Sequence, residues 1–462
     1  MSAQTIETTA ETLAIHGGPK AFAKRTGRPQ PKIGVEEFLS IAERFGFSAE
    51  ALERIRAAVG DADLGSGPHL GRYLTSCARP KGVQFEQLAR ETFGVPFALG
   101  TSSGTAALHA AFVGVGVGPG TEVIVPALGF CATGLAAMQA GGVPVFCDVD
   151  ESLQMDPRRI EALITPRTVA IAPTHHWGNV CDLEPILRIA RARGLKVVED
   201  CAQSPGAKYR GRHVGTWGDA GCFSISCYKI VGGGEGGLVL AHDERVFDRI
   251  RQCAEAGGLW RPDRFAPPRY EGELFPGTNY RMSELEAAVD VVQLAKLDAV
   301  CNRFRRVSRR VRSRLRTFRE IVPQKINDAE GCLGYQLRFF PADGALSRRI
   351  AEALKAEGVS AGTRGPQAGP DWHLSKFMFP IILRTGHVPG GAVTEDPRYL
   401  ARGGRADYRP GDCPVAEDLY AREVTVHLDQ WYSDEDCDAV ARAIDKVLGA
   451  FCTEDASAAR WG

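Results

Sequence analysis

The sequence predicts an α/β protein, with a large domain built on a mainly parallel sheet and a smaller C-terminal domain behind it. Three observations predict this. Four short apolar runs, Glu122–Pro126, Val143–Asp148, Val169–Pro173 and Leu195–Asp200, alternate with stretches of helical periodicity at Gly104–Val115, Gly129–Ala140 and Leu183–Arg193. Continuous apolar strands separated by helices are the pattern of a parallel sheet buried on both faces. At 462 residues the chain is also too long for one small core, so at least two domains are expected.

Each further segment has its own reading. Residues 1–70 read as an N-terminal segment whose first ~20 residues are disordered, residues 71–300 as the large domain and 301–462 as the small one. Ser283–Glu320 reads as one or two long helices, with Phe304, Val307, Val311, Leu315 and Phe318 forming an apolar stripe. The arginines between them read as that helix's solvated face rather than a nucleic-acid patch, because the net charge is zero. Residues 360–412 are rich in Gly, Pro and Arg and too long for an ordinary connection, which makes them a functional loop or a partly disordered insertion. Ser433–Leu448, with a Ser cap and acidic first turn, reads as a terminal helix.

Composition narrows the function classes. Lys+Arg and Asp+Glu balance at 56 each, which gives no electrostatic reason for nucleic acid or an anionic membrane as partner. No apolar run reaches the roughly 20 residues needed to cross a bilayer. The opening MSAQTIETTAETLAIHGG lacks the basic and apolar regions of a secretion signal. The 13 cysteines are odd in number, scattered, and free of C-x-x-C pairs, as expected of reduced thiols in a cytoplasmic protein.

Four segments carry chemistry. In Gly100–Leu108 (GTSSGTAAL), small residues lead into a helix whose N-terminal amides and hydroxyls suit a phosphate, although an N-cap without ligand looks the same in isolation. In Val197–Ala207 (VVEDCAQSPGA), a strand delivers Glu199 and Asp200 to its carboxyl edge, where ligands of parallel sheets bind. Alternation puts the two on opposite faces, so only one faces a ligand, and Asp200 is the choice. In Phe223–Gly237 (FSISCYKIVGGGEGG), Lys229 stands among small, aromatic and glycine residues that desolvate its amine and free it as a nucleophile. Gly277–Leu285 (GTNYRMSEL) displays Asn279 and Arg281 just before a helix start.

Together, in this order, SGTAAL, EDCAQSPGA, FSxxxxK, GEGG and NYRMSEL resemble the DegT/DnrJ/StrS-type sugar aminotransferases, a branch of the fold-type I pyridoxal-phosphate (PLP) enzymes. The resemblance runs from about Gly71 to Val447, and the opening LAIHGGPKAF is similar too. It implies a smaller C-terminal α/β domain and a site placed residue by residue. Lys229 would carry PLP as a Schiff base and move protons. Asp200 would pair with the pyridine nitrogen, Gln203 would lie near the 3-hydroxyl, and Phe130 of GFCAT would stack on the ring. Gly104, Thr105 and Ser224 would bind the phosphate. Asn279 would reach the phosphate of a neighbouring subunit, which implies a homodimer with shared sites. His175, in HHWGN, would be structural or support the site from behind. The activity implied is transfer of an amino group from Glu or Gln to a keto-sugar, free or nucleotide-linked, or to a keto-cyclitol, with no metal, membrane or nucleic acid involved.

Two departures bear on the substrate. Such relatives usually have a Thr near the GEGG, whereas here Val231 and three glycines precede Glu235. The 360–412 stretch looks expanded and holds Trp372, His373, Lys376 and Phe377, of which Trp372 or His373 is a candidate substrate contact. The alternatives are a PLP-dependent dehydratase or deoxygenase and a non-catalytic regulator on the same fold. Lys229 stands where dehydratase relatives replace lysine with histidine, Cys222 and Cys227 lack partners for an iron–sulfur cluster, and a regulator would be expected to lose Lys229 or Asp200.

Overall fold

The computed structural model describes residues 12–22, 24, 26, 33–65, 70, 80–261, 263–365 and 369–462. The chain divides into two compact units, Met1–Ala78 and Arg79–Gly462. In the first unit, helices α1 (Val35–Arg44) and α2 (Ala49–Ala58) pair, and Arg56 reaches Glu36 at 2.7 Å. The expectation of a disordered N-terminus falls partly on residues 1–11, which lie outside the described residues. Residues 12–22 carry one 3-10 turn, Ala14–His16.

The second unit opens with α3 (Lys81–Phe93) and continues as strand and helix in turn: β1 (Phe97–Thr101), α4 (Gly104–Gly114), β2 (Glu122–Pro126), α5 (Ala132–Gln139), β3 (Val143–Cys147), β4 (Thr168–Ile171), α6 (Leu183–Arg193), β5 (Lys196–Asp200), β6 (Ala220–Ser224), β7 (Gly237–Ala241) and α7 (Glu244–Ala254). These strands form one seven-stranded sheet in the order β1-β7-β6-β5-β4-β2-β3. All run parallel except β7, which is antiparallel to both neighbours. β2 is buried along its whole length, as a sheet covered on both faces requires. One apolar layer joins α4 and α7 to one face through Ala107, Phe112, Val123, Val198 and Ile250. A second covers the other face through Phe85, Ile124, Ile171, Leu183 and Phe223.

The stretch read as one or two long helices is two: α8 (Glu284–Leu294) and α9 (Leu297–Arg314). Phe318 lies beyond α9 yet is buried in the next core. That core belongs to a four-stranded sheet, β8 (Ile321–Pro323), β9 (Gln336–Pro341), β10 (Ala361–Thr363) and β11 (Val424–His427), with α9, α10 (Gly344–Ala356) and α12 (Asp434–Phe451), while α11 (Pro414–Arg422) packs in a separate apolar cluster with Leu128, Phe340 and Leu374. Ser433 caps α12 in a capping box with Asp436.

Residues 369–412 are folded, with short helical turns at Ser375–Phe377, Phe379–Ile382, Val393–Glu395 and Pro397–Ala401. They pack against the sheet's β2–β3 side. Buried Tyr399 donates to Glu122 Oε1 at 3.1 Å, Tyr408 donates to the carbonyl of Pro144 at 2.7 Å, and the amide of Ser375 donates to Ala127 at 2.8 Å. Among the described residues no helix is long and apolar enough to cross a membrane.

Candidate active site

The parallel strands deliver their carboxyl ends to one rim, and the functional side chains collect there. At the end of β5, Glu199 and Asp200 part company as alternation requires. Glu199, fully buried, accepts the amides of Gly215 (2.8 Å), Trp217 (2.7 Å) and Gly218 (2.7 Å) and lies 3.0 Å from His175 Nε2. Since His175 Nδ1 accepts the amide of Cys181 at 3.0 Å, its proton sits on Nε2 and points at Glu199. Glu199 and His175 are therefore spent on pinning the loop before β6. Asp200, 3% exposed, turns to the rim, where Oδ2 accepts the hydroxyl of Thr133 at 2.6 Å and Oδ1 the amide of Ala202 at 3.0 Å.

Around Asp200 lies a cavity of about 360 Å³. Seven of the eight residues singled out in the sequence line it: Gly104, Thr105, Phe130, Asp200, Gln203, Ser224 and Lys229. Asn279 does not; it is exposed on the loop before α8, where it bridges to Glu255 and its Oδ1 faces the amide of Arg281 at 3.3 Å. Lys229 follows β6, its amide tied to Ser226 at 2.9 Å. Burial pushes its amine below the ordinary lysine value, against the opposing pull of Asp200 and Glu235.

At the start of α4, Ser103 caps the helix by accepting the amide of Ala106 at 3.1 Å. Gly104 lies so close to β6 that a Cβ there would meet Ser224 Cβ at 2.7 Å, which brings the helix N-terminus and Ser224 together. Gln203 is held from behind: its Oε1 accepts the amide of Trp177 at 3.2 Å. Trp177 keeps a left-handed φ of 52°, with the Arg338 guanidinium 3.5 Å from its ring centre.

Three contributors escaped the sequence reading. Thr133 belongs to the same GFCAT segment as Phe130. Thr174 lines the cavity with a buried hydroxyl that has no partner among the described residues. Asp371 holds His373 Nδ1 at 2.8 Å and accepts the Tyr420 hydroxyl at 2.8 Å. Of the two candidates in the insertion, His373 enters the cavity, its ring 5.5 Å from that of Phe130, while Trp372 is 53% exposed and does not line it.

The arrangement fits a phosphorylated pyridine aldehyde. It offers a helix N-terminus beside Ser224 and Thr105 for a phosphate, and the half-exposed ring of Phe130 for stacking. A fixed carboxylate faces the same space as a desolvated amine, and the orphaned Thr174 hydroxyl awaits a partner. Among the described residues His175, Glu199 and Cys201 are the group spaced for a metal, but His175 and Glu199 are already satisfied by protein donors.

Comparison with known proteins agrees with this geometry. A profile of the DegT/DnrJ/EryC1/StrS aminotransferase family matches residues 74–364. The chain is 34% identical to the L-glutamine:2-deoxy-scyllo-inosose aminotransferase of Streptomyces fradiae over 447 residues, covering 94% of this chain and 97% of that one. It is 40% identical to the GDP-perosamine synthase of Caulobacter vibrioides over 217 residues, which is 47% of this chain and 57% of the relative. Among solved structures, DesV of S. venezuelae in complex with a ketimine intermediate superposes with a TM-score of 0.63 at 28% identity, covering 81% of this chain and 90% of that one. The chain belongs to the DegT/DnrJ/EryC1/StrS aminotransferase family and is a PLP-dependent enzyme of the fold-type I class.

Proposed function

We propose that this aminotransferase moves the amino group of glutamate or glutamine to a ketone on a polyhydroxylated ring, and that a keto-cyclitol or free keto-sugar suits it better than a nucleotide-linked one. The observation that carries this is a second cavity of about 370 Å³ that shares Lys229 and Gln203 with the first. Its other lining groups are neutral: Gln336, Gln430 and the Tyr335 hydroxyl for hydrogen bonds, and Trp177 and Phe304 for the apolar face of a ring. No arginine lines it among the described residues, so a diphosphate finds no bidentate partner there. The relatives that match along nearly their whole length and carry a cyclitol in their names support the same reading.

When bound, PLP supplies the electron sink that labilises the donor's α-proton and stores the nitrogen between half-reactions. The chain's residues do the rest. Asp200, oriented by Thr133 and Ala202, would hold the cofactor's ring nitrogen. The amides at the start of α4, with Thr105 and Ser224, would grip its phosphate. Lys229 Nζ, desolvated and therefore basic in its neutral form at lower pH, takes the proton from the donor's α-carbon and later delivers one to the acceptor carbon. His373, fixed by Asp371, closes the first cavity beside Phe130. Asn279, on its exposed loop, completes the phosphate site of a second copy, which makes the working unit a homodimer. The described cysteines are all free, in keeping with work in the cytoplasm. No observation favours a dehydratase or a regulator.

The test offers glutamine or glutamate with, in turn, a keto-cyclitol, a free keto-sugar and a nucleotide-linked keto-sugar, and follows release of the donor's 2-oxo acid. Multiple turnover only with the nucleotide-linked ketone would overturn the acceptor assignment.

A further inference from the structure

The sequence departs from its relatives at the glycines before Glu235, and the structure shows what occupies the space. Helix α8 aims two carboxyls at this loop. A Cβ on Gly233 would lie 2.8 Å from Asp290 Oδ1 and 2.9 Å from Glu286 Oε1, and one on Gly234 would lie 2.8 Å from Glu286 Oε2. A side chain at 233 or 234 would require these carboxyls to move away from the loop.

Those acids are connected to Lys229. Glu286 Oε1 accepts the amide of Gly234 at 2.7 Å. The carbonyl of Gly234 accepts the amide of Cys227 at 3.0 Å, and the carbonyl of Gly236 that of Ile225 at 2.8 Å. The segment 225–227, two residues short of Lys229, therefore hangs on a loop that hangs on α8. Asp290 is fully buried; neither of its oxygens makes a well-formed hydrogen bond among the described residues, and the Gly233 amide is the one donor that eases its charge. Glu286, one turn earlier on the same helix, crowds the same point beneath Gly233, and two buried carboxyls so placed escape mutual repulsion only while one of them holds a proton.

We propose that Glu286 and Asp290 are positioning residues that, by sharing one proton beneath the glycine loop, hold the segment carrying Lys229 in register and loosen it when that proton leaves at alkaline pH. Burial first, and then Glu286, push the Asp290 carboxyl up to about 8. Burial raises Glu286 as well, with Glu235 of the loop adding to it. The other charged groups of the packed elements do not relieve the pair. Glu284 is occupied by the amides of Lys81 and Gly82, Glu86 of α3 by that of Gly100, and no described lysine or arginine forms an ion pair with Glu286 or Asp290. Loss of the Asp290 proton near pH 8 puts a further negative charge into a buried site beside Glu286 and Glu235.

This inference rests on Lys229 as the cofactor lysine, but its test does not. Hydrogen–deuterium exchange across 225–237 is measured at pH 7 and pH 9 in the cofactor-loaded protein and again after cofactor removal. After correction for intrinsic base catalysis, wild-type exchange is expected to rise roughly tenfold. Asp290→Asn, whose amide donates to Glu286 at every pH, and Glu286→Gln, which still accepts from Gly234, should both flatten that rise and the alkaline limb of the kcat/KM profile. Equal rises in wild type and both variants would overturn the proposal, as would no rise in wild type. Borohydride labelling of a lysine other than 229 would instead sink the cofactor assignment and leave the exchange result standing.

Discussion

The hydroxyl of Thr133 donates a 2.6 Å hydrogen bond to the carboxylate of Asp200, tying the first turn of α5 to the end of β5. The bond orients the buried acid proposed to face the cofactor's ring nitrogen. Asp200→Asn is expected to cut turnover by ~10²–10³, about 3–4 kcal/mol of transition-state stabilisation. Thr133→Val, which leaves the charge but frees its orientation, should cost roughly tenfold, within the range for a hydrogen bond to a charged group. Steady-state kinetics on both variants checks the order, and a larger loss at Thr133 would contradict it.

Lys229→Ala should abolish transamination while the protein still melts cooperatively, because the side chain ends in an open cavity. In the wild-type protein burial disfavours the charged amine, so the neutral form is populated at lower pH than in an ordinary lysine. Reconstitution of the cofactor-free protein with PLP, followed by visible absorbance, should therefore accelerate with pH through a midpoint below the ordinary lysine value of roughly 10.4.

Gly104→Ala puts a methyl group 2.7 Å from Ser224 Cβ and 3.1 Å from its Cα, where backbone has to move. Cofactor retention in equilibrium dialysis is expected to weaken by at least about tenfold, with stability falling by roughly 1–3 kcal/mol for the overpacking. Ala at the exposed Gly94 turn, where no atom lies within 4 Å, is not such a test, because its φ of +66° strains any side chain.

Glu199 is expected to matter for folding rather than chemistry. Removing it strips four donors of their acceptor in a fully buried place. Glu199→Ala should lose ~3–5 kcal/mol in urea unfolding. Glu199→Gln, which keeps one acceptor oxygen, should lose less.

His176 predicts an acid limb. Its ring is fully buried, neither nitrogen has a partner among the described residues, and burial, with His373, Arg338 and Lys229 nearby, pushes its pKa well down. The folded state keeps it neutral while the unfolded chain binds a proton, so this group's contribution is lost as pH falls below roughly 6.5, by up to about 1.4 kcal/mol per pH unit. Urea midpoints at pH 7 and pH 5 should separate, and His176→Phe should narrow the gap.

The legible part of the fold was the part with a simple period. β2 to β5 are continuous apolar runs because both faces are covered, and the intervening helices repeat accordingly. β1 and β7 were hidden, since Phe97–Thr101 mixes small residues and Gly237–Ala241 follows a motif that drew attention to chemistry. The site was legible where chemistry demands rare combinations, such as a lysine among glycines. It was not legible where it depends on distant partners. Asp371 precedes His373 by two residues in plain view, but only folding shows that the insertion turns the pair inward. Asp290 carries no sequence signal, because only the packing of α8 buries it.

The insertion also bears on how acceptor range can change in this chain. The carbonyl of His373 accepts the amide of Gly129, one residue before the ring that flanks the cofactor space, and Leu374 bridges Leu128. If Phe130 stacks on the cofactor ring as proposed, any lengthening or remodelling of 369–412 that admits a bulkier ketone is expected to shift the turn that carries it. New acceptors are reached here at the expense of cofactor hold, and variants selected for them should need compensating changes around residues 128–133.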